Sequence, residues 1–140
     1  MRCNWQEAFR APDFCAPGDN KLHLSLLPQP FIGDVKNASI YILELNPGLG
    51  PSDYYGESEV PEYHDALLAN LQQDFSKSDL PFLFLDPKFA WHGGFDWWHG
   101  KLAKVIEELQ SLIPPNKTNT CKFAEARYLL ASNLASMMVP

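Results

Sequence analysis

The 140 residues include only three cysteines, Cys3, Cys15 and Cys121, odd in number, far apart and without a CxxC pair. Neither a disulfide framework nor a metal cluster follows from that pattern, so the three read as free thiols. Positive charge is also scarce. The 11 Lys and Arg stand against 17 Asp and Glu, a formal charge of -6. That balance argues against a protein that coats nucleic acid by bulk electrostatics, because such binding needs clustered cations on phosphates. Local basic contacts stay open at Lys88, Lys101 and Lys104, which flank a Trp-rich segment. No apolar run reaches membrane-spanning length, and the start, MRCNWQEAFRAPDF, lacks the charged-then-apolar plan of a signal peptide, so an intracellular location is expected. Internal repeats and low-complexity tracts are missing too. What is present is an ordinary globular mixture, 46% hydrophobic and 20% charged, at a length that fits one domain with a real core.

The most informative stretch is SIYILELNPGLGPSDYYG, beginning at Ser39. Ile40, Tyr41, Ile42, Leu43 and Leu45 are apolar on both alternating faces, the pattern of a central strand covered by helices on each side, and only Glu44 interrupts them. Pro47 cannot donate a ladder hydrogen bond, Gly48 tolerates positive φ, and Gly50-Pro51 adds a second break. The strand is therefore predicted to end near Asn46 and to deliver a polar loop bearing Tyr54 and Tyr55. In open α/β sheets ligands bind at such carboxyl ends.

Elsewhere, Pro12, Pro17-Gly18, Pro28, Pro30 and Gly33 punctuate residues 1–36, leaving an arm with one short helix over 5–10. The α/β domain is expected over 37–140. Pro61 opens a helix over 62–75 whose stripe is Tyr63, Leu67, Leu71 and Phe75. The run LPFLFL over 80–85 reads either as a strand or as a buried extended segment. Next comes KFAWHGGFDWWHG, with Asp96 a candidate N-cap for a helix running through Ile113, its apolar face formed by Trp98, Leu102, Val105, Ile106, Leu109 and Leu112. Residues 127–134 favour a strand, although their alanine content is also compatible with a helix. The last apolar segment, ending in MMVP, has nothing after it to continue it, and the domain is expected to be incomplete on that side.

The strand-turn ILELNPGL resembles the first active-site motif of the uracil-DNA glycosylase superfamily, especially its mismatch-specific and single-strand-selective branches. The segment YLLASNL, ending at Leu134, is similar to that fold's second core strand, which ends in an Asn that reads the base. The resemblance implies a three-layer α/β/α fold with a mainly parallel central sheet, DNA as partner in single- or double-stranded form, and a role in DNA repair. The activity implied is hydrolysis of the N-glycosidic bond of a flipped uracil or related base. Asn46 would position and polarise the attacking water, as a neutral amide can. Leu45, Pro47 and Gly48 would hold the base, and Asn133 would read its edge. Gly48 stands where stricter members carry a Tyr that excludes a 5-methyl group, which implies a more permissive pocket.

The sequence also departs from the family. The later His-Pro-Ser type loop is not in these 140 residues, and the stacking Phe is replaced by Ser58, Glu59 and Val60, with Tyr54 or Tyr55 as substitutes. No cysteines match the cluster ligands of the thermophilic branch, so no iron-sulfur or other cofactor is implied.

Blander readings stand beside these. Asn-Pro-Gly is good turn chemistry by itself. Tyr54 and Tyr55 fit a solvent-facing pair as well as a stacking platform. Ser52-Asp53 suits a local turn cap. His92 and His99 around Asp96 match no standard zinc spacing, so no metal is expected. Trp91, Trp97 and Trp98 form either a satellite core or a protein-binding patch. The rival to an enzyme is therefore a non-catalytic binding module, using either the cleft or the Trp-rich surface.

Overall fold

The computed structural model describes residues 25–45, 48–78 and 80–138. The helix expected over 5–10 lies outside them. Among these residues, three strands and four α-helices follow in chain order: β1 (Phe31–Gly33), β2 (Ile40–Glu44), α1 (Pro51–Glu59), α2 (Pro61–Gln72), α3 (Gly93–Leu112), α4 (Asn119–Asn133) and β3 (Leu134–Met138). Two 3-10 turns, Leu83–Leu85 and Pro87–Phe89, separate α2 from α3.

The expected three-layer fold with a mainly parallel sheet is not what forms. Helix accounts for 56% of the described residues and strand for 12%, so the domain is mostly helical around a small sheet. Its strand order is β1-β3-β2, with β3 antiparallel to β1 and parallel to β2. The sheet is therefore mixed and open. Part of the stretch read as an irregular arm supplies β1.

β2 forms where its β-branched and aliphatic residues predict, but at the sheet's edge rather than its centre. Its register with β3 runs from Ile40 opposite Leu134 to Glu44 opposite Met138. No strand pairs with its other side among the described residues, and Leu43 is 67% exposed. Apolar residues on both faces thus marked a strand without marking burial. The opposite edge is closed differently. Asn70 of α2 accepts a hydrogen bond from Gly33 N (2.9 Å) and donates to Phe31 O (2.8 Å). Gln73, just past the helix in the left-handed region at φ 53°, donates to Gly33 O (3.0 Å). The side-chain amides satisfy backbone groups that a further strand would otherwise take.

The core lies between the sheet and the helices. Tyr63 and Leu67 of α2, the run Phe82 to Leu85, Trp98, Leu102 and Ile106 of α3, and Ala126, Leu130 and Ala131 of α4 are all buried. Of the predicted stripe, Tyr63 and Leu67 of α2 are buried, Leu71 is half-buried, and Phe75 lies past the helix, which ends at Gln72. The run over 80–85 is neither strand nor extended: its last three residues curl into a 3-10 turn, and this lets four consecutive apolar side chains face the core. Residues 127–134 are not a strand either, except that Leu134 begins β3; 127–133 are helical. They continue α4, N-capped by Thr118, whose Oγ1 accepts from Cys121 N. Ala126 and Leu130 lie four residues apart and face inward together, the helical period rather than the alternating one.

Candidate functional site

Two helices begin beside the carboxyl end of β2. α1 starts after Gly50, an extended residue at φ -136°, with Pro51 at the first helical position where its missing N–H costs nothing. Asp53, three residues on, turns its Oδ2 back to accept Gly50 N at 2.8 Å. α3 is capped by His92, not Asp96. Its Nδ1 accepts Gly94 N at 2.9 Å, and Ser52 Oγ of α1 accepts Gly93 N at 3.2 Å. The start of α3 is thereby tied to the start of α1 through Ser52.

The tie continues inward. Because His92 Nδ1 takes a backbone N–H, the ring's proton belongs on Nε2. Nε2 lies 2.9 Å from Tyr63 Oη and 3.4 Å from Asp53 Oδ1. The imidazole is stacked between Tyr63 (4.7 Å between centroids, 21°) and Phe84 (5.2 Å, 28°). Burial, reinforced by the charges of Asp53 and Glu57, pushes the Tyr63 phenol far above its usual range, so it keeps its proton. His92 and Asp53 are both buried. With both ring nitrogens engaged, His92 acts as a fastener between α1, α2 and α3, leaving no free nitrogen for proton transfer.

This arrangement borders a cleft of about 320 Å³. Glu44, Gly48 and Gly50 line it from the β2 side, Ser52 and Asp53 from the start of α1, and Phe84, Trp97 and Trp98 give it aromatic surface. Asp53 and His92 are already committed to each other. Glu44 is not: its Oε2 accepts Ser136 Oγ at 3.1 Å, and its other oxygen has no hydrogen bond from a described residue. Among the described residues, no group of three or more His, Cys, Asp and Glu could hold a metal ion.

The residues expected to form the site are dispersed. Asn46 and Pro47 lie outside the described residues. Gly48 lines the cleft, and a Cβ there would meet nothing within 4 Å. Leu45 is 86% exposed and is not part of the cleft wall. Tyr54 and Tyr55 sit on α1, not on a loop, and neither lines the cleft; the Tyr55 ring meets Trp91 edge-on at 5.4 Å. Asn133 ends α4 beside the start of β2, where its Oδ1 accepts Ser39 Oγ and its Nδ2 donates to Leu129 O. That is the opposite end of the β2–β3 ladder from Glu44, roughly 13–16 Å away at ~3.3 Å per residue, so the structure does not bring Asn133 to the cleft. The tryptophans also divide. Trp98 is buried, Trp91 is half-buried against Tyr63, and only Trp97 stands out, 49% exposed with Lys101 Nζ 5.4 Å from its ring centre.

Sequence reasoning missed Phe84 and the fastening role of His92. Phe84 was hidden in a run that looked uniformly structural. The spacing of Gly50-Pro51 with Asp53 was the available signal for a capped helix start at the cleft. Among the described residues, no helix is long and apolar enough to cross a membrane. No protein-family model, curated protein or solved structure matches the chain.

Proposed function

We propose that the cleft holds a nucleobase extruded from DNA, and that the chain hydrolyses the N-glycosidic bond of that base in the manner of uracil-DNA glycosylases, inside the cell. The supporting observation is the cleft's place: Glu44, at the end of β2, and Gly48 line it, one on each side of Asn46 and Pro47 in the sequence, beside Phe84, Trp97 and Trp98. At about 320 Å³ it is at the small end of ligand sites, which run from roughly 300 to 1,000 Å³. A single base suits that volume better than a larger ligand. Aromatic stacking is worth roughly 1–3 kcal/mol per base. Lys101 and Lys104, four and seven residues after Trp97 on α3, are exposed and would meet flanking phosphates locally despite the acidic whole.

Within this reading Asn46 positions the water, and the bonds at the starts of α1 and α3 fix Gly50 and Ser52 beside the cleft. The test uses oligonucleotides carrying uracil in single strands and opposite guanine. Abasic sites should form with the native chain and vanish with Asn46→Ala. If a folded native chain produces none from uracil, and none from cytosine in the same contexts, catalysis by these residues is rejected.

The position of Asn133, a ladder's length from the cleft, favours a second reading in which the same cleft binds a base without cleaving it. Saturable quenching of tryptophan fluorescence by the oligonucleotide, with no abasic sites formed, is the outcome that would select it.

A further inference from the structure

Glu44 gives the cleft a chemical preference that its aromatic walls do not. Each carboxylate and imidazole along the cleft can be accounted for in turn. Asp53 has Gly50 N on one oxygen and faces His92 Nε2 with the other. His92 has Gly94 N on Nδ1 and Tyr63 Oη at Nε2. Glu44 alone of these groups uses one oxygen, on Ser136 Oγ, and has its second without a described partner. Among the described residues, no Lys or Arg lines the cleft. A ligand seated there therefore meets a carboxylate oxygen open to a donor and, among the described residues, no side-chain cation that would welcome an acceptor.

We infer that Glu44 selects bases that present an amino group, cytosine-like rather than uracil-like; this rests on the nucleobase reading of the cleft and narrows it. The physical reason lies at one position of the pyrimidine ring. At C4 cytosine carries an amino group, a donor, and uracil a carbonyl, an acceptor. A carboxylate pairs with the first and repels the second. Uracil's single N3–H does not rescue it, because that donor sits between two carbonyl oxygens whose lone pairs would face the same carboxylate. Glu44 is well placed to discriminate because it is held: its backbone is in the β2–β3 ladder opposite Met138, and its side chain is anchored by the Ser136 hydroxyl. A held carboxylate loses less freedom on binding than a loose one.

The experiment titrates the full chain with 2′-deoxycytidine and with 2′-deoxyuridine, following tryptophan fluorescence, since Trp97 and Trp98 line the cleft. Deoxycytidine is expected to bind roughly tenfold more tightly, the order of a good amino-carboxylate readout. Glu44→Gln should bring the ratio near unity, because an amide offers both a donor and an acceptor. Ser136→Ala, which leaves the charge and removes only its anchor, should keep the sign of the preference. Equal affinities in the native chain, tighter deoxyuridine, or a ratio unmoved in Glu44→Gln would overturn the role of Glu44 while leaving the cleft a base site. Loss of the preference in Ser136→Ala would transfer the discrimination to the hydroxyl and likewise overturn it. If neither nucleoside binds, the nucleobase reading falls and this inference with it. The native ratio stands as a test even if a variant fails to fold.

Discussion

Replacing Gly56 with alanine should destabilise the domain, whereas the same change at Gly100 should stabilise it. Both glycines lie inside helices, α1 and α3, so each substitution removes backbone freedom from the unfolded chain and gains about 0.8–1 kcal/mol of helix propensity. Their surroundings differ. A Cβ on Gly56 would lie 2.6 Å from Tyr63 Cδ1, 2.8 Å from Tyr63 Cε1 and 3.0 Å from Trp91 Cη2, whereas one on Gly100 meets nothing within 4 Å. Tyr63 has no room to retreat. It is fully buried, its hydroxyl is 2.9 Å from His92 Nε2, and its ring is hemmed in by Phe89, Trp91 and His92. Forcing a methyl into such a place costs about 1–3 kcal/mol. Because the propensity gain is common to both variants, it cancels in the comparison and the gap between them reports the packing conflict alone. Urea unfolding followed by tryptophan fluorescence would read a gap of that size as a midpoint difference of about 1 M, given slopes of roughly 1–3 kcal/mol/M. Equal midpoints for the two variants would refute the close approach of α1 to Tyr63, and with it the geometry that presents Asp53 to His92.

Three further substitutions probe the tryptophans and the acid response. Trp98→Ala should cost about 3–5 kcal/mol because its ring is buried against Phe82. Trp97→Ala should cost within about 1 kcal/mol, chiefly its contact with Lys101; thermal melts of the pair would separate core from surface. Burial pushes the Glu57 carboxyl above its ordinary 4.5, more than the Leu27 N–H on Oε2 pulls it down, and its Oε1 is buried without a hydrogen-bond partner. The folded state thus binds this proton more tightly than the unfolded chain, so Glu57 lowers stability as pH rises from near 4.5 through its raised value. Glu57→Gln should flatten that slope in urea midpoints taken between pH 4 and pH 7, and an unchanged slope would assign it elsewhere. Asp34 has the opposite sign: the Asn37 amide holds its carboxyl low, so its contribution is lost only as pH falls below 3.8.

Where a helix was visible in the sequence, its buried face was apolar and regular. α2 and α3 announce themselves through Tyr63 and Leu67 and through Trp98, Leu102 and Ile106. α1 does not, because its buried residues are Ser52, Asp53 and Gly56, which carry no hydrophobic period. It is held by capping, a proline start and a close glycine contact, and so was read as a loop. α4 misleads in the other direction: Tyr128 and Leu129 face solvent beside buried Leu130 and Ala131, so a run of apolar letters looks like a strand. The cleft was half legible. The break after β2 located it, but the fastening of His92 by Tyr63 and the anchoring of Glu44 by Ser136 depend on residues 29 and 92 positions apart meeting in space, and no local pattern encodes that.

The position of β3 between β1 and β2 has a consequence for how the molecule is made. β1 and β2 share no hydrogen bonds with each other, so neither belongs to a sheet until the last strand slots between them. About ninety residues separate the end of β2 from the start of β3. At roughly 5–20 residues per second of synthesis, the apolar segment from Ile40 to Leu43 waits on the order of five to twenty seconds on the ribosome for its partner. During that wait it is an open template for any other nascent strand, and such non-local pairing is intrinsically slow to form. Helices α1 to α3 are made of local contacts and precede β3 in the chain, so they can assemble first and leave a slot for it. The quality of that early helical scaffold, rather than the strands themselves, then governs whether the chain closes on itself or onto a neighbour.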